Sequence, residues 1–307
     1  MTITAKIIAD SISPDNIRLT TLQLRYPRFI HAEFMTHRQF SRNASSSRAV
    51  PVEKLIKDIQ DDTAMPIHWG KNIPGMQANE ECDSVVNVSF GNNKYTQTRL
   101  GAWEQARDNA IDSARSFNEA GYHKQIVNRL LEPFSHINVI VSSTEWSNFF
   151  RLRIDPGAQP EMQELARSIK LAMDTSEPQK LNYGEWHLPY ILAEDGNSVY
   201  EKLSNDGVVC DTDDIEPYCD GYKTYINYLI KMSVARCARV SYMTYEMKKP
   251  TLQEDLKLYD RLLGAQPIHA SPSEHQARPL WHCGKSHLTG NFRGWIQYRK
   301  TLEGECQ

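Results

Sequence analysis

The sequence has no apolar run approaching the roughly 18 residues that span a bilayer, and no basic start leading into an apolar stretch as in a secretory leader. A cytoplasmic protein without a membrane partner is expected. Its six cysteines (Cys82, Cys210, Cys219, Cys237, Cys283 and Cys306) form no Cys-x-x-Cys pair, so neither a zinc ribbon nor a disulfide framework is indicated. His282, Cys283 and His287 come nearest to a metal cluster; a loop without a metal is expected there. An excess of positive charge is also missing, since 35 Lys and Arg face 38 Asp and Glu for a net charge of -3. Nucleic-acid affinity rests mainly on basic surface and counterion release, so a general nucleic-acid binder is disfavoured.

What is present is ordinary globular material: 307 residues, 40% hydrophobic and 24% charged, enough to bury a sizeable core. Residues 3–8 and 17–24 read as strands, separated by the turn signal Ser13-Pro14-Asp15-Asn16. An antiparallel pair follows. A helix is expected over 29–40, and another from about Val52, after Pro51, with Leu55, Ile56 and Ile59 on one face. Residues 61–94 are irregular, whereas 95–120 read as a long amphipathic helix with Trp103, Ala106, Ala110, Ala114 and Phe117 on a stripe and Gly121 as its stop. Further helices are expected at 124–131 and 161–173, with a strand at 136–142 between them.

The densest chemistry lies in Thr36-His37-Arg38-Gln39-Phe40-Ser41-Arg42-Asn43-Ala44-Ser45-Ser46-Ser47-Arg48. Arginine forks match phosphate oxygens, and clustered serines in a turn add hydroxyl and backbone donors. Such a stretch reads either as a phosphate and nucleotide cradle or as a plain polar loop. Toward the end of the chain, Ser271-Pro272-Ser273-Glu274 has the spacing of a capping box, with Ser271 as the N-cap. Residues 290–300 carry Arg293, Arg299 and Lys300 among Phe292, Trp295 and Tyr298, which suits either a phosphate and ring contact or an amphipathic terminal helix. Trp186 and His187 read either as a pocket wall or as an inter-segment plug.

Several of these motifs together resemble the flavin-dependent thymidylate synthases, whose signature is Arg-His-Arg, seven residues, then Ser. His37, Arg38, Ser46 and Arg48 fit it, while Thr36 stands at the first Arg. Arg129 ahead of Pro133, and Leu152-Arg153 followed by Asp155, Ala158, Gln159 and Glu161, match two further family motifs. Residues 235–242 and 269–275 resemble segments that ordinary members carry before the signature. The chain therefore looks circularly permuted, with segments 1–175 and 231–307 around an insertion or linker at 176–230, all forming a single catalytic unit over 1–307.

The resemblance implies an α+β fold with a mainly antiparallel sheet flanked by long helices. It implies FAD as cofactor, NADPH and methylenetetrahydrofolate as co-substrates, and reductive methylation of dUMP to dTMP in a homotetramer with sites at subunit interfaces. It assigns pyrimidine activation to Arg153, whose permanent charge can stabilise a negative ring. It assigns the nucleotide to Glu33, Ser46, Ser47, Arg48, Arg129 and Arg153, and FAD to His37, Arg38, Asn148, Ser241, His269 and Ser271. Four positions depart from the family pattern: Thr36, Ser142 and Thr144, where Asn and Arg touch the flavin, and Gly157 in place of His. Arg293 or Arg299 is expected to replace the cation lost at Thr36. Glu33 stands where the family has Gln, and a carboxylate there repels phosphate or accepts from a base amino group. Two alternatives follow: a flavin- and folate-dependent dUMP or dCMP hydroxymethylase, or a non-catalytic descendant that binds nucleotide or nucleic acid.

Overall fold

A computed structural model describes residues 3–90, 93–208, 220–242, 250–281 and 283–305. The acidic passage 211–216 and His282 fall outside them, and so does the side chain of Ser241.

The expected strand pair opens the fold. Strand β1 (Thr4–Ile12) runs antiparallel to β2 (Arg18–Pro27), and Asn16 in the turn takes a positive φ of 58°, a conformation Asn tolerates. A single-turn helix α1 (His31–Phe34) comes next, then strand β3 (Ser41–Ala44) and helix α2 (Val52–Asp61). The helix expected over 29–40 is thus cut to one turn. Its reason is Arg42, whose Nη1 donates to the carbonyls of Met35 and His37, both at 2.9 Å, and so ties up groups that a longer helix would use internally. Beyond Phe40 the chain pairs as a strand instead of continuing to turn.

Strand β4 (Val86–Phe90) pairs antiparallel with β5 (Asn93–Gln97), which takes up the end of the stretch expected to be irregular and residues 95–97 of the expected long helix. Helix α3 (Arg99–Glu119) starts at Thr98, whose side chain caps it, and stops before Gly121 at φ +86°. Short helix α4 (Lys124–Val127) precedes strand β6 (His136–Ser143), helix α5 (Ser147–Arg153) and helix α6 (Pro160–Asp174). The rest comprises β7 (Gln179–Lys180), α7 (Ala193–Asn205), α8 (Asp220–Tyr242), α9 (Leu252–Leu263), β8 (Ala277–Pro279) and β9 (Trp295–Gln297).

The main sheet has the order β3-β6-β2-β1-β7, antiparallel except for the short β1–β7 pair. The fold is α+β. Alternation along the strands sends Leu22, Leu24, Tyr26, Val139 and Val141 to one face, where they bury against Met162, Leu165 and Ile169 of α6. On the other face Ile140 packs with Cys237 and Val240 of α8 and with Tyr190.

Two expectations near the end of the chain are corrected. Ser271–Glu274 is a 3-10 turn whose N-cap is Ala270, so Ser271 sits inside the turn and makes no capping box. The 290–300 region forms β9 and a 3-10 turn, Tyr298–Thr301, instead of a helix, because β9 pairs with β8.

The face toward α8 also carries a seam of buried polar groups. Ser11 is hydrogen-bonded to Nδ1 of His187 at 2.9 Å, and Nε2 of the same ring meets Thr21 at 2.8 Å. Thr21 meets Ser142 at 2.5 Å, and Ser142 meets Nδ1 of His275 at 2.9 Å. The Asn43 amide then lies 3.4 Å from Nε2 of His275 and 3.4 Å from the Ser271 hydroxyl. This chain of contacts crosses β1, β2, β6 and β3. It stitches segments from both ends of the sequence onto one sheet, and His187 proves to be an inter-segment plug.

Candidate active site

Arg153 ends α5, and its guanidinium reaches back to the segment after β2. Its Nη1 is ion-paired with Oε1 of Glu33 in α1, its Nε donates to Nε2 of His37 at 3.3 Å, and its Nη2 lies 3.5 Å from the Thr36 hydroxyl. His37 is placed to accept: burial, followed by the charges of Arg153 and Arg42, lowers its pKa from the ordinary histidine value. A neutral ring with Nε2 as acceptor leaves the proton on Nδ1. The ring is held edge-on by Phe149, with centroids 4.9 Å apart.

Arg153 and Glu33 lie on the wall of a cavity of about 730 Å³. Apolar surface comes from Phe29, Met76, Trp103 and Pro133; polar groups come from His68, Gln77, Gln159 and Glu161. Such a mixture suits a planar ring with a few directed hydrogen bonds. Buried Glu161 accepts from the backbone N–H of Ile67 at 2.6 Å, which fastens one side of the 66–79 loop over the cavity. Gly157 fastens the other side: its carbonyl accepts from Gln77 Nε2 at 3.0 Å, and a Cβ there would stand 2.5 Å from that same nitrogen. The glycine at this departure from the family pattern thus makes room for Gln77.

A second hollow, about 700 Å³ and more open, lies between residues 37–40, the start of α5 and residues 289–293. It brings together His37, Arg38, Asn148 and Arg293. Arg38 is exposed, and Arg293 is 76% exposed, its one side-chain pairing among the described residues being Glu145 at 3.5 Å. Arg299, by contrast, is committed to Glu274 and Glu305. Two exposed guanidiniums with amides between them fit a diphosphate-bearing ligand, so the donor set here suits a dinucleotide such as FAD.

Ser47, Arg48 and Arg129 sit on adjoining 3-10 turns, and Ser46 is the extended N-cap residue of the first. Asn128 pins the turns together by donating to the carbonyls of Ser47 at 2.7 Å and Val50 at 2.9 Å. Arg48 and Arg129 are exposed, whereas the buried Ser47 hydroxyl donates to Glu132 at 2.6 Å. These four residues line neither hollow, nor do His269 and Ser271, both exposed. Of the departures, Ser142 is fully buried in the polar seam and Thr144 accepts from the backbone N–H of Arg293 at 3.0 Å. Sequence reasoning missed Gln77, Trp103 and Glu161 as cavity walls. The spacing of apolar residues on α3 flagged Trp103 for packing, but nothing local tied the 66–79 loop to α6.

A family model described as thymidylate synthase complementing protein matches residues 13–179, more than half of the chain. The chain belongs to the thymidylate synthase complementing protein family. The matched span contains His37, Arg38, Ser46, Arg129 and Arg153. Two structures of the flavin-dependent thymidylate synthase ThyX from Helicobacter pylori, both with FAD and dUMP, are similar at 16% and 15% identity. Each covers 50% of this chain and 67% of its own, with a TM-score of 0.35. No curated protein matches this chain. Among the described residues no group of three or more His, Cys, Asp or Glu could hold a metal ion, and no helix is long and apolar enough to cross a membrane.

Proposed function

We propose that this chain is a flavin-dependent enzyme of the thymidylate synthase class, which adds a one-carbon unit to C5 of a pyrimidine deoxynucleotide. The reference reaction is reductive methylation of dUMP to dTMP with methylenetetrahydrofolate and NADPH. The observation that carries the reading is Arg153: a family-motif guanidinium fixed by three neighbours on the wall of a cavity of about 730 Å³. Its position is set before a ring arrives, so its guanidinium stabilises negative charge without reorganising. His37 holds the fork in place. Phe29 and Trp103 offer flat faces that keep water from the ring.

FAD, where bound, supplies the reducing equivalents. His37, Arg38, Asn148 and Arg293 would hold it in the open hollow, with Arg293 taking the place of the cation absent at Thr36. The nucleotide phosphate falls to Arg48 and Arg129, and these exposed cations would serve a cavity across a subunit interface of a homotetramer. Ser241, His269 and Ser271 would act at the cofactor in the same way. The permuted order of segments is part of the proposal. It is supported by the end of the family match at residue 179 and by the Asn43–Ser271 contact, which seats the late segment on the signature strand.

The test is a titration of the purified protein with FAD, followed by absorbance in the flavin band and by flavin fluorescence. Saturable binding near one flavin per chain supports the proposal. A colourless protein that leaves FAD fluorescence unchanged overturns it.

A further inference from the structure

The pair formed by Glu33 and Arg153 sets a carboxylate beside a guanidinium on the wall of the larger cavity. One carboxylate oxygen, Oε1, is taken by Arg153; among the described residues Oε2 has no hydrogen-bond partner, and the Glu33 side chain is 30% exposed. Arg153 likewise keeps donor capacity, because among the described residues three contacts engage its five N–H groups. An incoming ring therefore meets an acceptor and a donor side by side.

Pyrimidines answer that pattern differently. Cytosine presents an exocyclic amino group next to the acceptor N3, so the amino group donates to Glu33 while N3 accepts from Arg153. A carboxylate accepting from the cytosine amino group is a recurrent pairing in base recognition. Uracil presents N3–H between two carbonyl oxygens. A carboxylate that accepts from N3–H brings its charge against one of them, and ionisation at N3 would set two anions face to face. Glu33 also draws on the charge of Arg153 that an anionic uracil would need.

We infer that the Glu33–Arg153 pair makes this site selective for a pyrimidine nucleotide carrying an exocyclic amino group, of the dCMP class, over dUMP. The inference rests on the nucleotide-site reading above. Glu33 is the specificity-determining residue, because it rejects by an unpaired, like-charged contact as well as selecting by a favourable one.

Calorimetric titration of the full chain, saturated with FAD, against dCMP and dUMP tests this. The expected result is at least tenfold tighter binding of dCMP by the unmodified protein. In Glu33→Gln, whose amide both donates and accepts, the gap closes or inverts. Thermal melting checks that the variant is folded, and the unmodified protein alone already decides the sign. Equal or tighter dUMP binding by the unmodified protein overturns the inference and leaves the enzyme class standing. Binding of neither nucleotide overturns both.

Discussion

The Nε of Arg153 donates to Nε2 of His37 at 3.3 Å, so a residue of the signature segment orients the guanidinium at the end of α5. Because burial and neighbouring cations lower the pKa of His37, the ring is neutral at neutral pH and gains a proton only below the ordinary histidine range. Protonation removes the acceptor and places two cations together. Nucleotide affinity should therefore hold from pH 7 to 8 and fall only once the pH is taken below the ordinary histidine value. Titrations across that range check this, and His37→Asn should flatten the acid limb.

Arg153→Lys keeps a positive charge but loses the planar fork that satisfies Glu33, His37 and a ligand at once. Nucleotide affinity should fall by at least tenfold, about 1.4 kcal/mol. Equilibrium binding measures it, and unchanged affinity would detach Arg153 from the site.

The open hollow beside Arg38 yields a contrast between arginines. Arg38→Ala and Arg293→Ala should each weaken FAD binding several-fold, whereas Arg299→Ala should leave it intact, since Glu274 and Glu305 occupy that guanidinium. Flavin fluorescence titration of the three variants reads it directly. Retention of FAD in the Arg38→Ala/Arg293→Ala double variant would remove the hollow from consideration.

The buried seam predicts acid sensitivity. Burial pushes His187 and His275 down to about 3, from an ordinary value near 6.5. A depressed histidine favours the neutral, folded form, so its contribution is complete above about pH 6.5 and is lost as the pH falls toward 3. Each ring should cost about 3 kcal/mol of stability between pH 6.5 and 4. Urea unfolding at those two values measures the loss, and a pH-independent midpoint would contradict the seam.

Helices α7, α8 and α9 are held by one buried charge cluster. Arg236 bonds Asp195 at 2.6 Å and Asp255 at 2.9 Å, and Arg239 reaches Asp255 at 3.1 Å. Removing one partner leaves uncompensated buried charge, so Arg236→Ala should destabilise by roughly 3–5 kcal/mol. Chemical denaturation provides the check.

The sequence made the sheet legible where alternation was strong. Leu22, Leu24 and Tyr26 on β2, and Val139 and Val141 on β6, alternate with residues of the opposite face, and α2 and α6 repeat at helical spacing. The segment after Phe29 was not legible, because Arg42 stops α1 through carbonyls five to seven positions earlier and β3 is made by pairing with distant β6. The seam was hidden for the same reason: Ser11, Thr21, Ser142, His187 and His275 lie on five separate segments, and no local pattern joins them. Arg153 was legible as a motif. That Glu33 is its ion-pair partner depends on a contact across 120 positions.

The central claim is tested most directly by the mass of the nucleotide recovered after incubating the protein with FAD, NADPH, methylenetetrahydrofolate and either dUMP or dCMP. A one-carbon mass gain on at least one of the two, absent without FAD and lost in Arg153→Ala, is the predicted result. Unchanged mass for both nucleotides, from protein shown to be folded and flavin-loaded, would contradict the account.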